Sequence, residues 1–208
     1  MPDVRIEPDY SHVNQIIRNV IRYEGGPVII NDPDDKGGVT KFGITQKSWA
    51  HFARYVLKLP TARHDVTKIS IDDAVAYYRN LFIMSQACMM PAPSIQMFYF
   101  DCCVHHGNRN GAKLLQRSCN HIIRIIDKPS EFAELSVDGA VGPKTLEATR
   151  RIYRSPQYKE MLLEMMYISR LNFINRIVQL NPKQGKFYKG WKNRIEQCKT
   201  DALALDLE

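Results

Sequence analysis

The stretch Tyr23–Thr45, YEGGPVIINDPDDKGGVTKFGIT, closes an apolar helical pattern on a glutamate and then runs through a loop dense in aspartate and glycine. Upstream, Ser11 can cap a helix whose apolar positions Val13, Ile16, Ile17, Val20 and Ile21 recur at the spacing of one buried face. Glu24 continues that face, three residues after Ile21 and four after Val20, and Gly25–Gly26 supply the left-handed backbone that ends a helix. The following segment, with Asn31-Asp32-Pro33 and Lys36-Gly37-Gly38 as turn chemistry, reads as a loop with a small β-hairpin.

A carboxyl at that position has a chemical use. The negative end of the helix dipole and an apolar face both favour its neutral form, and a neutral carboxyl can donate a proton. Cleavage of a glycosidic bond needs such a donor at the leaving oxygen, with a second group stabilising an oxocarbenium-like centre or activating water. Asp32, Asp34 and Asp35 are candidates for the second role, and the Thr40 hydroxyl can position a water. Gly37, Gly38 and Gly43 let backbone approach a bulky sugar. Read structurally, the same residues are a helix end and a set of turn formers. The acidic loop lacks the alternating ligands and terminal glutamate of a calcium loop, so no metal is expected there.

Helical patterns occupy most of the remaining chain. Thr45 can cap a helix to about Leu57, and Ser70 with Asp73 forms a capping-box-like start. Ser94 can cap an apolar helix through Val104 after Pro91 and Pro93. Ala112, Leu115, Cys119, Ile122 and Ile126 form another stripe, and Pro143 suits a first helical turn after Asp138–Gly139. Two longer helices are expected over about 158–180 and 186–203. In them the Met161, Leu162, Met165, Ile168 stripe and the aromatic residues Phe187, Tyr188 and Trp191 read as core. The expected class is mainly α with a small β element.

Across 208 residues, 29 lysines and arginines against 22 acids leave a formal charge of +7, which predicts attraction to a polyanion. The basic residues are dispersed and accompany no nucleic-acid motif, so a solvated basic surface is favoured over specific nucleic-acid binding. No run approaches the roughly 18 apolar residues of a membrane span, and the N-terminus lacks the apolar core of a secretory signal. Synthesis in the cytoplasm is the expectation. The five cysteines include no CxxC pair and read as reduced, buried small hydrophobes.

EGG followed by NDPDDKGGVTKFGIT resembles the N-terminal signature of glycoside hydrolase family 108, the phage and prophage N-acetylmuramidases. FDCCVHHGNRNGAKLLQ (100–116), VDGAVGPKTLEA (137–148) and FYKGWKNRIE (187–196) are similar to the family's later segments. The resemblance implies a peptidoglycan hydrolase without cofactor or metal, with Glu24 as general acid and Asp35 and Thr40 as the loop aspartate and threonine. It implies substrate-side positions at Gly37, Gly38, Gly43, Asp101, His105 and Gln116. It also implies a lysozyme-like α+β catalytic part (11–106) with a small hairpin, followed by a helical, predicted peptidoglycan-binding part (107–204). His105 stands where the family usually carries asparagine. An imidazole there can gain charge near neutrality, or it is simply a solvated or hydrogen-bonded helix-end histidine. Bacterial peptidoglycan is the implied partner, reached at the wall or periplasm after holin-dependent release or another export route; the oligomeric state is open. The alternatives are a lytic transglycosylase, ending in an anhydro sugar, and an inactive wall-binding or secretion-regulating protein.

Overall fold

A computed structural model describes residues 11–31, 38–126 and 133–207. Two compact units divide the chain inside one helix, between Leu81 and Phe82.

In the first unit, α1 (Ser11–Tyr23) buries Ile16, Ile17, Val20 and Ile21 along the row that the 3.6-residue period predicts. It ends in a Schellman arrangement: the Gly26 N–H donates to the Ile21 carbonyl at 3.1 Å and the Gly25 N–H to that of Arg22 at 3.2 Å, with Gly25 at φ +92°. The small β element is a three-stranded antiparallel meander instead of a single hairpin. Its strands are β1 (Ile29–Ile30), β2 (Thr40–Lys41) and β3 (Ile44–Thr45). Thr40 pairs with Thr45 and Lys41 with Ile44, so the β2–β3 turn is the dipeptide Phe42–Gly43. Both turn residues have positive φ (55° and 73°), the backbone of a tight type I′ connection.

The Thr45 side chain caps α2 (Gln46–Tyr55) by accepting from the Ser48 N–H at 3.1 Å, and α2 buries Trp49, Phe52 and Ala53. α3 (Ile71–Met84) opens on a reciprocal capping box. Asp73 Oδ2 accepts from the Ser70 N–H at 2.9 Å, and Ser70 Oγ accepts from the Asp73 N–H at 3.1 Å.

The second unit is helical. α4 (Pro93–His106) is buried nearly all round and packs on α5 (Asn108–Ile125), α7 (Lys159–Leu180) and α8 (Gly185–Ala204); α6 (Pro143–Arg154) lies against α5 and α7. The five-residue stripe expected on α5 is buried throughout. On α7 the buried row is Leu162, Leu163, Met166, Arg170 and Ile174. The Met161–Ile168 stripe therefore needs correcting: Met161 and Met165 are half-buried and Ile168 is exposed, because a fully buried arginine occupies the row that apolar periodicity assigned elsewhere. Phe187 and Trp191 also depart from the core reading. Their rings stack with centroids 5.8 Å apart, with Phe187 46% exposed and Trp191 half-buried. The cysteines are free, four of them buried and Cys88 exposed. No helix among the described residues is long and apolar enough to cross a membrane.

Candidate active site

Glu24 follows the last residue of α1, and its N–H still donates to the Val20 carbonyl at 3.0 Å. Its side chain is half-buried, more open than its place on the apolar face suggested, because the chain turns at Gly25 before that face closes. What it touches is the β2–β3 turn. A Cβ built on Gly43 would lie 2.6 Å from Glu24 Cβ and 2.8 Å from Oε2. Only glycine tolerates both this approach and a φ of +73°.

The turn is held from two sides. Tyr78 Oη, from α3, donates to the Phe42 carbonyl at 2.9 Å. Lys41 Nζ donates to the carbonyls of Thr67 and Ile69 at 3.0 and 2.9 Å. Phe42 is 4% exposed, and burying its ring offsets the strain of a positive φ in an aromatic residue. Since Lys41 reaches the 66–69 segment, strand alternation sends its neighbour Thr40 to the opposite face of the ribbon. Gln46 fixes the same segment, donating to the His64 carbonyl at 2.7 Å and accepting from the Val66 N–H at 2.9 Å. Tyr78, Lys41 and Gln46 escaped the reading of the sequence. Tyr78 and Gln46 carry no signal beyond an amphipathic pattern, and Lys41 is marked only by its place in a strand.

Of the expected site residues, the structure brings Glu24 and Gly43 into contact and sets Thr40 in the same hairpin, with Gly38 exposed at its entry (φ +67°). Asp35 and Gly37, with Asp32 and Asp34, lie outside the described residues. Gly43→Ala should lower turnover by about 10²-fold, the scale of a roughly 1 Å displacement of a reacting group. Initial rates of fragment release from purified cell-wall sacculi, alongside a thermal melt, measure the change apart from any loss of fold.

Asp101 and Gln116, expected on the substrate side, are fully buried, and His105 is half-buried. Asp101 has no exposed side-chain surface and sits between two guanidinium groups. Arg170 Nη2 lies 2.7 Å from Oδ2, and Arg194 donates to Oδ1 through Nη2 at 2.6 Å and Nε at 3.1 Å. Burial would raise the Asp101 pKa, but Arg170 and Arg194 overcome it and hold the carboxyl ionised well below the usual range. Arg170 is itself fully buried. It donates from Nε to His106 Nε2 at 3.1 Å, its Nη2 lies 3.2 Å from His105 Nδ1, and its Cζ stands 5.5 Å from the Phe98 ring centroid.

The two imidazoles are therefore acceptors toward a permanent cation. Burial first, and then the neighbouring arginines, push His105 down to about 3 and His106 to about 2. His105 stays neutral at neutral pH, and of the two readings of the sequence the structure fits the hydrogen-bonded helix-end histidine. Gln116, 1% exposed, organises the turn before α6. It donates to Asp138 Oδ1 at 2.8 Å and the Ala140 carbonyl at 2.9 Å, and accepts from the Gly139 N–H at 3.0 Å. The later sequence motifs thus meet one another: Asp101 of the second joins Arg194 of the fourth, and Gln116 of the second joins Asp138 of the third.

A glutamate at the end of a helix, pressed on a glycine hairpin within a mainly helical chain, is a lysozyme-like arrangement. A solved structure, "Structure of Brucella abortus SagA", has the same fold, with a TM-score of 0.67 at 23% identity over 95% of this chain and 97% of that one. Residues 17–107 match the family described as Glycosyl hydrolase 108, and residues 110–196 match the family described as Predicted Peptidoglycan domain. Comparison with curated proteins gives no match. The two assignments together define a glycoside hydrolase directed at peptidoglycan. They divide the chain between α4 and α5, whereas compactness divides it inside α3, so α4, the last helix of the hydrolase segment, is the central helix of the second unit.

Proposed function

We propose that the protein is an N-acetylmuramidase that hydrolyses the β-1,4 bond between N-acetylmuramic acid and N-acetylglucosamine, with Glu24 as general acid. The observation that carries this reading is the seating of the Glu24 carboxyl on Gly43, where a clamped hairpin fixes its position and no side chain intervenes. Glu24 gives its proton to the glycosidic oxygen as the bond to C1 of N-acetylmuramic acid breaks. Water then supplies the oxygen that completes the new reducing end. Thr40, on the opposite ribbon face from Lys41, carries a hydroxyl suited to orienting that water, whereas the hydroxyl of its partner Thr45 caps α2. The net charge of +7 suits a wall whose peptides carry carboxylates.

Digestion of sacculi followed by mass spectrometry of the soluble fragments tests the reaction type. The reading predicts reducing N-acetylmuramic acid ends. Anhydro ends would make the protein a lytic transglycosylase, and no fragments from walls of several types would leave a wall-binding protein.

A further inference from the structure

The same unit carries a second feature that the acid chemistry does not use. A cavity of about 400 Å³ opens beside the end of α1, between Arg18, Ile21, Arg22, Gly25 and the turn residue Phe42. Its floor is apolar, since Ile21 and Phe42 are almost fully buried, and its rim carries two exposed arginines one helical turn apart, Arg22 with its Cζ 5.4 Å from the Tyr23 ring centroid. Phe42 lines this cavity, and the next residue, Gly43, bears on Glu24, so a single two-residue turn separates cavity from acid. Arg22 is likewise two residues from Glu24 along the chain.

We propose that this cavity receives a carboxylate of the stem peptide borne by N-acetylmuramic acid, with Arg18 and Arg22 as the residues that select peptide-bearing glycan. The proposal rests on the muramidase reading. The sugar cleaved at Glu24 is the one that carries the peptide, through its lactyl ether, so a cationic recess this close to the acid meets that peptide before any more distant wall polymer. Two guanidinium forks match carboxylates in geometry and charge, and the apolar floor accommodates short aliphatic side chains of the peptide. A neutral N-acetylglucosamine polymer has nothing to place there.

The test uses full-length Glu24→Gln protein, which binds without turnover, and two ligands measured by titration calorimetry: soluble peptidoglycan glycans with stem peptides, and the same glycans stripped of peptide by an amidase, with the lactyl carboxylates so released capped as methylamides. The peptide-bearing glycan should bind about tenfold more tightly, the scale of one charge-assisted contact. Adding Arg18→Ala and Arg22→Ala should bring the ratio close to one, and Arg18→Lys with Arg22→Lys should restore part of it. Both arginines are exposed, so the thermal midpoint should stay near that of the parent and separate this effect from misfolding. Equal affinity for the two glycans in the Glu24→Gln protein overturns the proposal. So does a preference unchanged by the arginine substitutions. Failure of the wild-type protein to release any fragment from sacculi defeats the muramidase reading instead, and the two failures are read from different experiments.

Discussion

Glu24→Gln should reduce fragment release from sacculi by about 10³-fold, within the range that a positioned general acid contributes. Glutamine keeps the length and shape of the side chain and its contact with Gly43, but carries no proton to give to a leaving oxygen. The residue is half-buried at a helix end whose backbone hydrogen bonds and Gly25 cap do not involve its carboxyl, and the amide is isosteric with it. The expected signature is a collapse of turnover with a thermal midpoint close to wild type. A midpoint that fell with activity would instead make Glu24 part of the scaffold.

Asp101→Ala should do the opposite, removing stability first. The aspartate answers two arginines, one of them with no exposed surface, and removing it strands the Arg170 charge in the interior. Breaking a buried pair in this way costs about 3–5 kcal/mol, a large part of a typical domain's stability of about 5–15 kcal/mol. On a chain of this size that corresponds to a fall in thermal midpoint on the order of 10 °C. Arg170→Met should cost less, because it removes the buried cation and leaves Asp101 with the forked contact from Arg194.

The neighbouring histidines add a pH dependence whose sign follows from their lowered folded-state values. Neutral His105 and His106 are held at about 3 and about 2, whereas in the unfolded chain they protonate near the ordinary value of about 6.5. Unfolding therefore takes up protons below about pH 6.5. Their contribution is fully present above that pH and is lost progressively as pH falls toward the folded-state values. Equilibrium denaturation between pH 7 and pH 4 should show stability falling with acidity, and replacing both histidines should flatten the slope.

Local signals in the sequence carry far in this protein and then stop at a recognisable place. The end of α1 at Gly25–Gly26, the Ser70–Asp73 box, the Thr45 cap and the α5 stripe are all set by residues within a few positions of one another. Periodicity and capping chemistry expose them directly. Arg170 lies beyond such reasoning, since a charge in a buried row looks like an interruption until Asp101, 69 residues earlier, is seen to meet it.

The motif segments mislead in a related way. Asp101 and Gln116 sit in the same segment as His105, and nothing in their spacing distinguishes a residue that faces substrate from one that locks two helices or a turn together. Glu24 was legible because its chemistry and its helix position point the same way. Its contact with Gly43 was not, because the register of the hairpin decides which glycine arrives there.

The central claim is hydrolysis at C1 of N-acetylmuramic acid driven by Glu24, and digestion of sacculi in water enriched in oxygen-18 tests it most directly. Wild-type protein should release fragments whose N-acetylmuramic acid reducing ends carry one heavy oxygen, and the Glu24→Gln protein should release almost none. Unlabelled anhydro ends, or labelled ends formed equally well by the Glu24→Gln protein, would contradict it.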